Sequence, residues 1–346
     1  MWKIPLESER HNSTWLAWPW NSQIWDGVTG SSLYAAQDFV DRLIRTILDF
    51  ENVMLLVRET EASEVDQRFK LASNGTRRVE LVVVHYNDIW VRDTLPTFAR
   101  GEPDKLYAIN WNFNGWGRRA RTYASYGDDA RLCGKIAALT GAEIVDSKIV
   151  AEGGAFVFDG DRLTVATKSV MFDRLRNPGC NKTEIEEAIL AATGSQRVCW
   201  LPGDRNEPMT LGHADSMIAF VGKQQALFDW TVDETSADFD VCDYNLRVFR
   251  EWASREGLHY DIIRIPRPKY AVSRHQCSSY VNFAWVNGAI IVPGYGDVGG
   301  DQCARMIVSD IVGNAMPVLT VDMSAIACAG GSVHCVTQQQ PDLGVR

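Results

Sequence analysis

The sequence lacks the short motifs by which many proteins bind metal ions and nucleotides. It contains no HExxH, CxxC or HxH pattern and no Walker A loop, so we expect neither a zinc site of the common types nor a P-loop. Residues 294–300 are rich in glycine, but they lack the strand and helix context of a dinucleotide-binding turn. We interpret this segment as a flexible loop beside a binding site.

Positive charge and long apolar runs are also scarce. The 346 residues carry a formal net charge of −9, because 44 Asp and Glu residues outnumber 35 Lys and Arg residues. This balance argues against nucleic acid as a partner and mildly favours a cationic ligand. No run approaches the roughly 18 uncharged apolar residues that span a membrane, and residues 1–10 lack the apolar stretch of a signal peptide. We therefore expect a cytoplasmic protein with no membrane partner.

The cysteines do not form a disulfide framework. Eight of them are scattered without close spacing, and we interpret them as reduced thiols of an intracellular protein. An arbitrary cysteine is more often a small buried hydrophobic residue than a catalyst. The eight are Cys133, Cys180, Cys199, Cys242, Cys277, Cys303, Cys328 and Cys335.

Apolar runs of strand length alternate with amphipathic helical segments along the whole chain. The strand 52–57, for example, follows a helix predicted over residues 31–50, and this alternation is typical of an α/β protein. Four or five comparable units give a period of about 70 residues. We find no low-complexity linker, so we predict one domain over residues 1–346 with internal quasi-repeats.

The segment 86–96 combines charge with an aromatic ring directly after a predicted strand. Asp88 and Asp93 could hold a cation by charge, and Trp90 could stack on its face. The alternative is a capped turn with a surface pair between Asp93 and Arg92.

Two further turns carry polar groups that could act on a ligand. Glu152 stands before Gly153 and Gly154, where it is either accessible to a ligand or part of an ordinary turn. His213 and Asp215 are two residues apart, so in an extended stretch both side chains would face one site, the histidine as acid and base. The alternative for His213 is a buried, hydrogen-bonded structural residue.

Cys335 follows the glycine pair Gly330 and Gly331. Glycine lets the backbone turn with positive φ and approach a ligand closely, which makes Gly331 a candidate contact for substrate. The thiol is a candidate nucleophile if histidine and carboxylates lie nearby. We interpret His85 and His334, which flank the candidate segments, as structural.

Taken together, these segments resemble the agmatine deiminase and bacterial-type peptidylarginine deiminase family, whose members modify guanidino groups. The resemblance implies the pentein fold, a five-bladed α/β propeller of pseudo-fivefold ββαβ modules around a central site. The likeness spans residues 15–19, 87–93, 112–117, 152–154, 176–178, 212–215, 279–283 and 329–341.

The resemblance also implies a covalent mechanism. Cys335 would attack the guanidinium carbon while Asp93 and Asp215 grip its nitrogens. His213, oriented by Glu152, would protonate the departing ammonia and then activate water. No metal or organic cofactor is needed for these steps.

Further residues are expected to contact the substrate. Trp90 would cover the planar cation, and Asp88, Asn282 and Gly331 are additional candidates from the segments that carry the resemblance.

The far end of the substrate is less constrained. Arg118, Arg119 and Arg121 stand where typical agmatine deiminases are glycine-rich and uncharged, and comparable arginines in peptidylarginine deiminases hold a carboxylate. The alternative is that these arginines point to solvent. Family members of the agmatine type also carry an acidic segment where this chain has residues 207–211.

We therefore expect a small-molecule guanidino substrate, with agmatine first. The alternatives are deimination of free or C-terminal arginine or another guanidino acid, amidino transfer to an amine, and a non-catalytic guanidinium-binding or interaction protein. The sequence does not determine the oligomeric state, and a homodimer is one alternative.

Overall fold

The part of the chain that the structure describes forms five separate β-sheets. The computed structural model describes residues 2–26, 31–72, 75–118, 126–269, 277–313, 316–324 and 326–344. The strands of these residues are β1 (Trp2–Lys3), β2 (His11–Ala17), β3 (Asn52–Val57), β4 (Val79–Val83), β5 (Thr97–Gly101), β6 (Lys105–Asn110), β7 (Glu143–Asp146), β8 (Phe156–Phe158), β9 (Leu163–Thr167), β10 (Arg197–Leu201), β11 (Ile218–Gly222), β12 (Gln225–Trp230), β13 (Asp261–Pro266), β14 (Ala284–Val286), β15 (Ala289–Gly294), β16 (Val318–Asp322) and β17 (Gln338–Pro341).

The helices of the described residues range from single turns to five turns. They are α1 (Ser22–Trp25), α2 (Leu33–Leu48), α3 (Ala62–Phe69), α4 (Val91–Thr94), α5 (Gly115–Arg118), α6 (Leu132–Thr140), α7 (Lys168–Met171), α8 (Lys182–Thr193), α9 (Ala237–Arg255) and α10 (Val298–Val312). All four residues of α5 have positive φ, so this segment is a left-handed turn.

One ordered unit recurs in every sheet. Two strands pair antiparallel, a helix follows, and the next strand pairs parallel to the second, as in β8, β9, α8 and β10. The other units use β5, β6 and β7, β11, β12 and β13, β14, β15 and β16, and β17, β2 and β3. The predicted α/β class with internal repeats is therefore confirmed as ββαβ units.

The two ends of the chain meet in one sheet. Strand β17 pairs antiparallel with β2, with Gln338 opposite Trp15. The indole Nε1 of Trp15 also donates to Gln340 Oε1 over 3.0 Å. Because β17 begins three residues after Cys335, this pairing fixes the position of the candidate nucleophile relative to the N-terminal strand.

Helix α2 illustrates how the sequence specifies these units. The Ser32 side chain accepts a hydrogen bond from the Ala35 backbone and caps the first turn. Phe39, Leu43 and Ile47 share one face at spacings of four residues and are fully buried. The helix predicted over 31–50 is observed at Leu33–Leu48. Among the described residues, no helix is both long and apolar enough to cross a membrane.

The predicted functional segments lie in connections at strand ends. Residues 86–96 follow β4, Glu152 follows β7, His213 follows β10, and Cys335 precedes β17. Connections of this kind place side chains on a scaffold that the sheets hold rigid. Although the segments come from different sheets, their side chains come together, as described next.

Candidate active site

Cys335 lies where the C-terminal segment passes Trp90 and Arg92. A Cβ added to Gly331 would lie 2.1 Å from Trp90 Cζ3, so the close contact between this segment and the indole requires glycine. The Arg92 backbone N–H donates to the Cys335 carbonyl over 3.1 Å. The nucleophile segment and the 86–96 segment are thus tied together at both the side-chain and the backbone level.

Asn282 holds the thiol in place. The Cys335 Sγ lies 3.3 Å from Asn282 Oδ1, which also lies 3.4 Å from the Cys335 backbone N. Asn282 is fully buried, and its Nδ2 donates to the Asp215 carbonyl over 3.2 Å. The side chain predicted to bind substrate therefore links the Cys335 and Asp215 segments. Its role toward substrate stays a prediction.

His213 and Asp215 face the same site, but not on an extended stretch. Residues Ala214–Ser216 form a single 3-10 turn, and strand β11 starts only at Ile218. The expectation of an extended segment is wrong because Gly212 has a φ of +84° and the chain turns immediately after it. The Asp215 Oδ2 nevertheless lies 3.9 Å from the Cys335 Sγ.

Glu207 shapes the turn that precedes His213. Its Oε1 accepts from the Met209 N–H over 2.7 Å. Its Oε2 accepts from the Thr210 N–H, the Thr210 hydroxyl and the Gly212 N–H. The Glu207 carboxylate, in the segment 207–211 discussed above, thus accepts its hydrogen bonds within its own loop.

Asp93 occupies the first turn of α4 and receives two hydrogen bonds. Its Oδ1 accepts from the Gly154 N–H over 2.9 Å, and its Oδ2 accepts from Trp116 Nε1 over 2.8 Å. Burial raises the pKa of Asp93 overall, the charge of His213 opposes this increase, and the nearby carboxylates of Glu152 and Asp215 add to it. Asp93 therefore ionises most readily when a cation is close.

Glu152 and His213 form a buried pair behind these carboxylates. His213 Nε2 lies 3.2 Å from Glu152 Oε2, and its Nδ1 lies 3.7 Å from Asp93 Oδ1. Burial by itself would lower the pKa of His213, but Asp93, Glu152 and Asp215 raise it to about 9. At neutral pH the imidazole is therefore protonated and able to act as an acid.

Arg176 fixes Glu152. Its Nε lies 2.8 and 3.0 Å from the two carboxylate oxygens, and neither side chain is exposed to solvent. Burial tends to raise the pKa of Glu152, but the Arg176 charge and the His213 contact lower it overall. Arg176 lies in a segment that carries the resemblance, but the sequence alone indicates no role for it.

The surroundings of Cys335 favour the neutral thiol. Burial raises the pKa of Cys335 well above its ordinary value, and Asp215, Cys277 and Asp93 add to the increase. A thiolate is therefore favoured when further positive charge enters the site. All eight cysteines are free thiols, and among the described residues no group of three or more metal-ligating side chains could hold an ion.

The other residues predicted to contact substrate differ in how close they lie to Cys335 and in their exposure. Trp90 is 7% exposed beside the Cys335 segment. Asp88 is buried, and its Oδ1 accepts from the Ile89 N–H over 2.8 Å, which is a local turn contact. Arg118 is exposed, as the solvent-facing alternative expects, and Arg119 and Arg121 lie outside the described residues.

Four residues at the site were missed by sequence reasoning. Trp116 contacts Asp93, and Arg176 contacts Glu152. His334, which the sequence indicates as structural, contacts Asp215 through Nδ1 at 2.9 Å. Its Nε2 contacts the fourth residue, Glu7. The position of His334 next to Cys335 was the only local signal for it. Glu7 lies more than 320 residues away in sequence from His334, so no spacing could have indicated the contact.

We expect Trp116→Phe to lower kcat/KM for a guanidino substrate by about 10- to 100-fold, the loss of one buried hydrogen bond to a charged group. Without the indole N–H the pKa of Asp93 rises further, so the acidic limb of the kcat/KM profile should move to higher pH. Steady-state kinetics across pH would measure both effects.

Trp111→Phe is the matched control for this change. Trp111 is also buried, but its Nε1 donates to the Thr97 hydroxyl over 2.8 Å. A shift of the acidic limb in both variants, or in neither, would show that Trp116 does not act through Asp93.

Comparison with known proteins places this chain among guanidino-modifying enzymes. A family model described as Porphyromonas-type peptidyl-arginine deiminase matches residues 3–341. An agmatine deiminase of Medicago truncatula is 29% identical over 369 residues, with 98% of this chain and 96% of the relative covered.

Two solved structures share the fold. The agmatine deiminase of Enterococcus faecalis superimposes with a TM-score of 0.89 at 22% identity, covering 99% of this chain and 96% of that chain. The agmatine deiminase of C. jejuni, solved as a variant with substrate bound, gives 0.84 at 21% identity, covering 99% and 97%. With the five ββαβ sheets, these similarities confirm the predicted pentein fold. Since the family model spans nearly the whole sequence, the chain belongs to the Porphyromonas-type peptidyl-arginine deiminase family.

Proposed function

We propose that this protein hydrolyses a guanidino substrate to a ureido product and ammonia through a covalent intermediate on Cys335, and that agmatine is the first candidate substrate. The space in front of Gly154 carries the proposal. A Cβ added there would lie 2.8 Å from both Asp215 Oδ2 and His213 Nδ1 and 2.9 Å from Asp93 Oδ1. Two carboxylates and an acid thus converge on one small volume, which suits a planar cation.

Charge complementarity explains how the thiol becomes reactive. A guanidinium about 4 Å from the sulfur would stabilise the thiolate by roughly 4 kcal/mol at an effective dielectric of 20, equivalent to about three pKa units. The thiol proton leaves to water as the cation enters. The nucleophile is therefore activated by the substrate itself, while His213 keeps its proton for the next step.

The reaction then proceeds in two halves. The Cys335 sulfur bonds to the guanidinium carbon, and His213 donates its proton to one nitrogen, which leaves as ammonia. Neutral His213 next removes a proton from water, whose oxygen bonds to the same carbon. The carbon–sulfur bond breaks, the new hydroxyl group releases its remaining proton to water, the ureido product leaves, and the thiolate and the imidazolium are restored. We assign orientation of His213 to Glu152 and gripping of the guanidinium to Asp93 and Asp215.

The names of the relatives support agmatine as the substrate. One observation favours a second candidate, a guanidino acid such as arginine. Glu207 uses both carboxylate oxygens within its own loop, which leaves it fewer acceptor sites for the amine at the far end of agmatine. The expected cytoplasmic location fits an enzyme that depends on a reduced cysteine. The expected small-molecule partner is the guanidino substrate itself.

Product analysis with agmatine, arginine and a peptide ending in arginine would test the proposal. We expect release of ammonia and a ureido product from one of them, and an amidino adduct on the Cys335 peptide after acid quenching. Cys335→Ser serves as the control and should give neither. Adding a primary amine would reveal amidino transfer, in which the amine of the substrate is the leaving group and the added amine becomes a new guanidino product, with no ammonia released. If the wild-type protein forms neither ammonia nor the adduct with any substrate, the hydrolase proposal is wrong.

A further inference from the structure

His334 immediately precedes the nucleophile, and both of its ring nitrogens face carboxylates. Nδ1 lies 2.9 Å from Asp215 Oδ2, and Nε2 lies 2.9 and 3.1 Å from the two oxygens of Glu7. The side chain is 8% exposed. A neutral imidazole has one N–H and one lone pair, so one of these contacts would set a lone pair against an oxygen anion. Only the imidazolium can donate to both.

Arg92 holds the outer end of this arrangement. Its Nη1 lies 3.2 Å from Glu7 Oε1, its Nη2 donates to Gln339 Oε1 over 2.7 Å, and its Nε donates to the His334 carbonyl over 3.3 Å. Glu7 is thereby anchored between two cations. The charged groups that face His334 are Glu7, Asp215 and Arg92.

We propose that His334 is a positioning residue which, held as an imidazolium between Glu7 and Asp215, keeps Asp215 aimed at the substrate and screens its charge from the Cys335 sulfur. The sequence alone indicates only a structural role for this residue. Its effect on turnover rests on the proposed function, whereas its effect on the thiol does not.

The ionisation of the surrounding groups agrees with this role. Burial and Arg92 tend to lower the pKa of His334, but Glu7 and Asp215 raise it overall. Burial tends to raise the pKa of Asp215, but the hydrogen bond and charge of His334 lower it overall. Asp215 thus stays ionised without presenting its full negative charge to a sulfur atom 3.9 Å away.

Two consequences separate screening from simple packing. Without a positive charge at His334, the bare Asp215 carboxylate opposes the thiolate more strongly, so the pKa of Cys335 rises. The same carboxylate attracts a guanidinium at least as well as before, because His334 no longer competes for it. In a variant that still holds Asp215 but lacks the charge, we therefore expect kcat to fall while KM does not rise. A loosened site would instead show a lower kcat and a higher KM.

The pH dependence of Cys335 alkylation by iodoacetamide, a neutral probe, tests the first consequence without substrate. In His334→Asn, the amide can still donate to Asp215 but carries no charge. We expect the apparent pKa of the thiol to rise by about one unit, which makes alkylation about tenfold slower below that pKa. Cys277 and Asp93 also influence this thiol and are unchanged in the variant.

Glu7→Gln provides a second variant that keeps an acceptor for His334 while removing the charge that favours its protonation. We expect a shift of the alkylation profile in the same direction and by a smaller amount. His85→Asn, which removes a histidine that bonds Arg58, is the control and should leave the profile unchanged. Thermal unfolding of each variant shows that it is folded before its profile is interpreted.

The outcomes are distinct. If folded His334→Asn or Glu7→Gln keeps the wild-type alkylation profile, His334 does not screen the thiol and the inference is overturned. If both profiles shift but no guanidino compound is turned over by the wild type, the inference stands and the hydrolase proposal fails. With a substrate in hand, a KM that rises with the fall in kcat in His334→Asn would contradict the screening role, because the asparagine amide can still hold Asp215 in place.

Discussion

Gly154→Ala is expected to lower kcat/KM for a guanidino substrate on the order of a thousandfold while leaving the chain folded. The added methyl group would lie 2.8 to 2.9 Å from Asp215 Oδ2, His213 Nδ1 and Asp93 Oδ1. It would both occupy the space proposed for the guanidinium and push apart the groups that act on it. Displacements of about 1 Å at a reacting centre cost about 100-fold in rate, and here three groups are affected together.

Two glycine variants serve as controls for this prediction. Gly134 lies in α6 with no atom within 4 Å of an added Cβ, so Gly134→Ala should keep full activity and gain a few tenths to 1 kcal/mol in helix stability. Gly153→Ala should chiefly destabilise the protein, because its Cβ would lie 2.1 Å from the Arg92 carbonyl oxygen. Steady-state kinetics and urea unfolding would separate the three variants.

Alkylation of Cys335 by iodoacetamide refines the test of Gly154→Ala. The neutral probe does not need the guanidinium site, so we expect the variant to remain alkylated while its turnover is lost. Retention of wild-type kcat/KM would show that the guanidinium does not bind in front of Gly154. The two glycines after Glu152 would then be parts of an ordinary turn, which is the alternative that the sequence left open.

The sequence indicated the groups that carry local signals. Asp93, Glu152, His213 and Cys335 each stand in a short polar or glycine-containing connection next to a strand, so the alternation of elements was enough to single them out. Their convergence could be expected only from the family resemblance. Local spacing was misleading for His213 and Asp215, since a 3-10 turn rather than an extended stretch directs them to one site.

Groups that act through distant partners could not be found in this way. Glu7 precedes the first long strand and has no motif around it, yet the pairing of β17 with β2 brings both chain ends together and sets it against His334. The pairing of strands from opposite ends of the sequence leaves no periodic signal in the sequence. Arg176 likewise follows a short helix with no pattern that reveals a partner 24 residues earlier.

Arg176→Met is expected to destabilise the protein by about 3–5 kcal/mol, because it removes the arginine charge that pairs with the buried carboxylate of Glu152. Glu152 loses the contacts of 2.8 and 3.0 Å, and Asp173 loses the contact of 3.2 Å between its Oδ2 and Arg176 Nη1. Arg131→Met is the control. Arg131 pairs with Asp128 at the surface, where the arginine side chain is 64% exposed. The loss of stability should therefore stay below about 1 kcal/mol.

The pH dependence of the deficit identifies its cause. In the wild type the folded-state pKa of Glu152 is lowered, so the pair contributes stability above the unfolded pKa of Glu, about 4.3, and loses it as pH falls through the folded value. In Arg176→Met burial is no longer opposed by the arginine, so the pKa of Glu152 rises and the folded protein binds a proton at higher pH. The destabilisation should therefore be largest at pH 8 and shrink toward pH 5, as urea unfolding at both values would measure. A deficit that is the same at both pH values would mean that lost packing, and not the buried charge of Glu152, explains the role of Arg176.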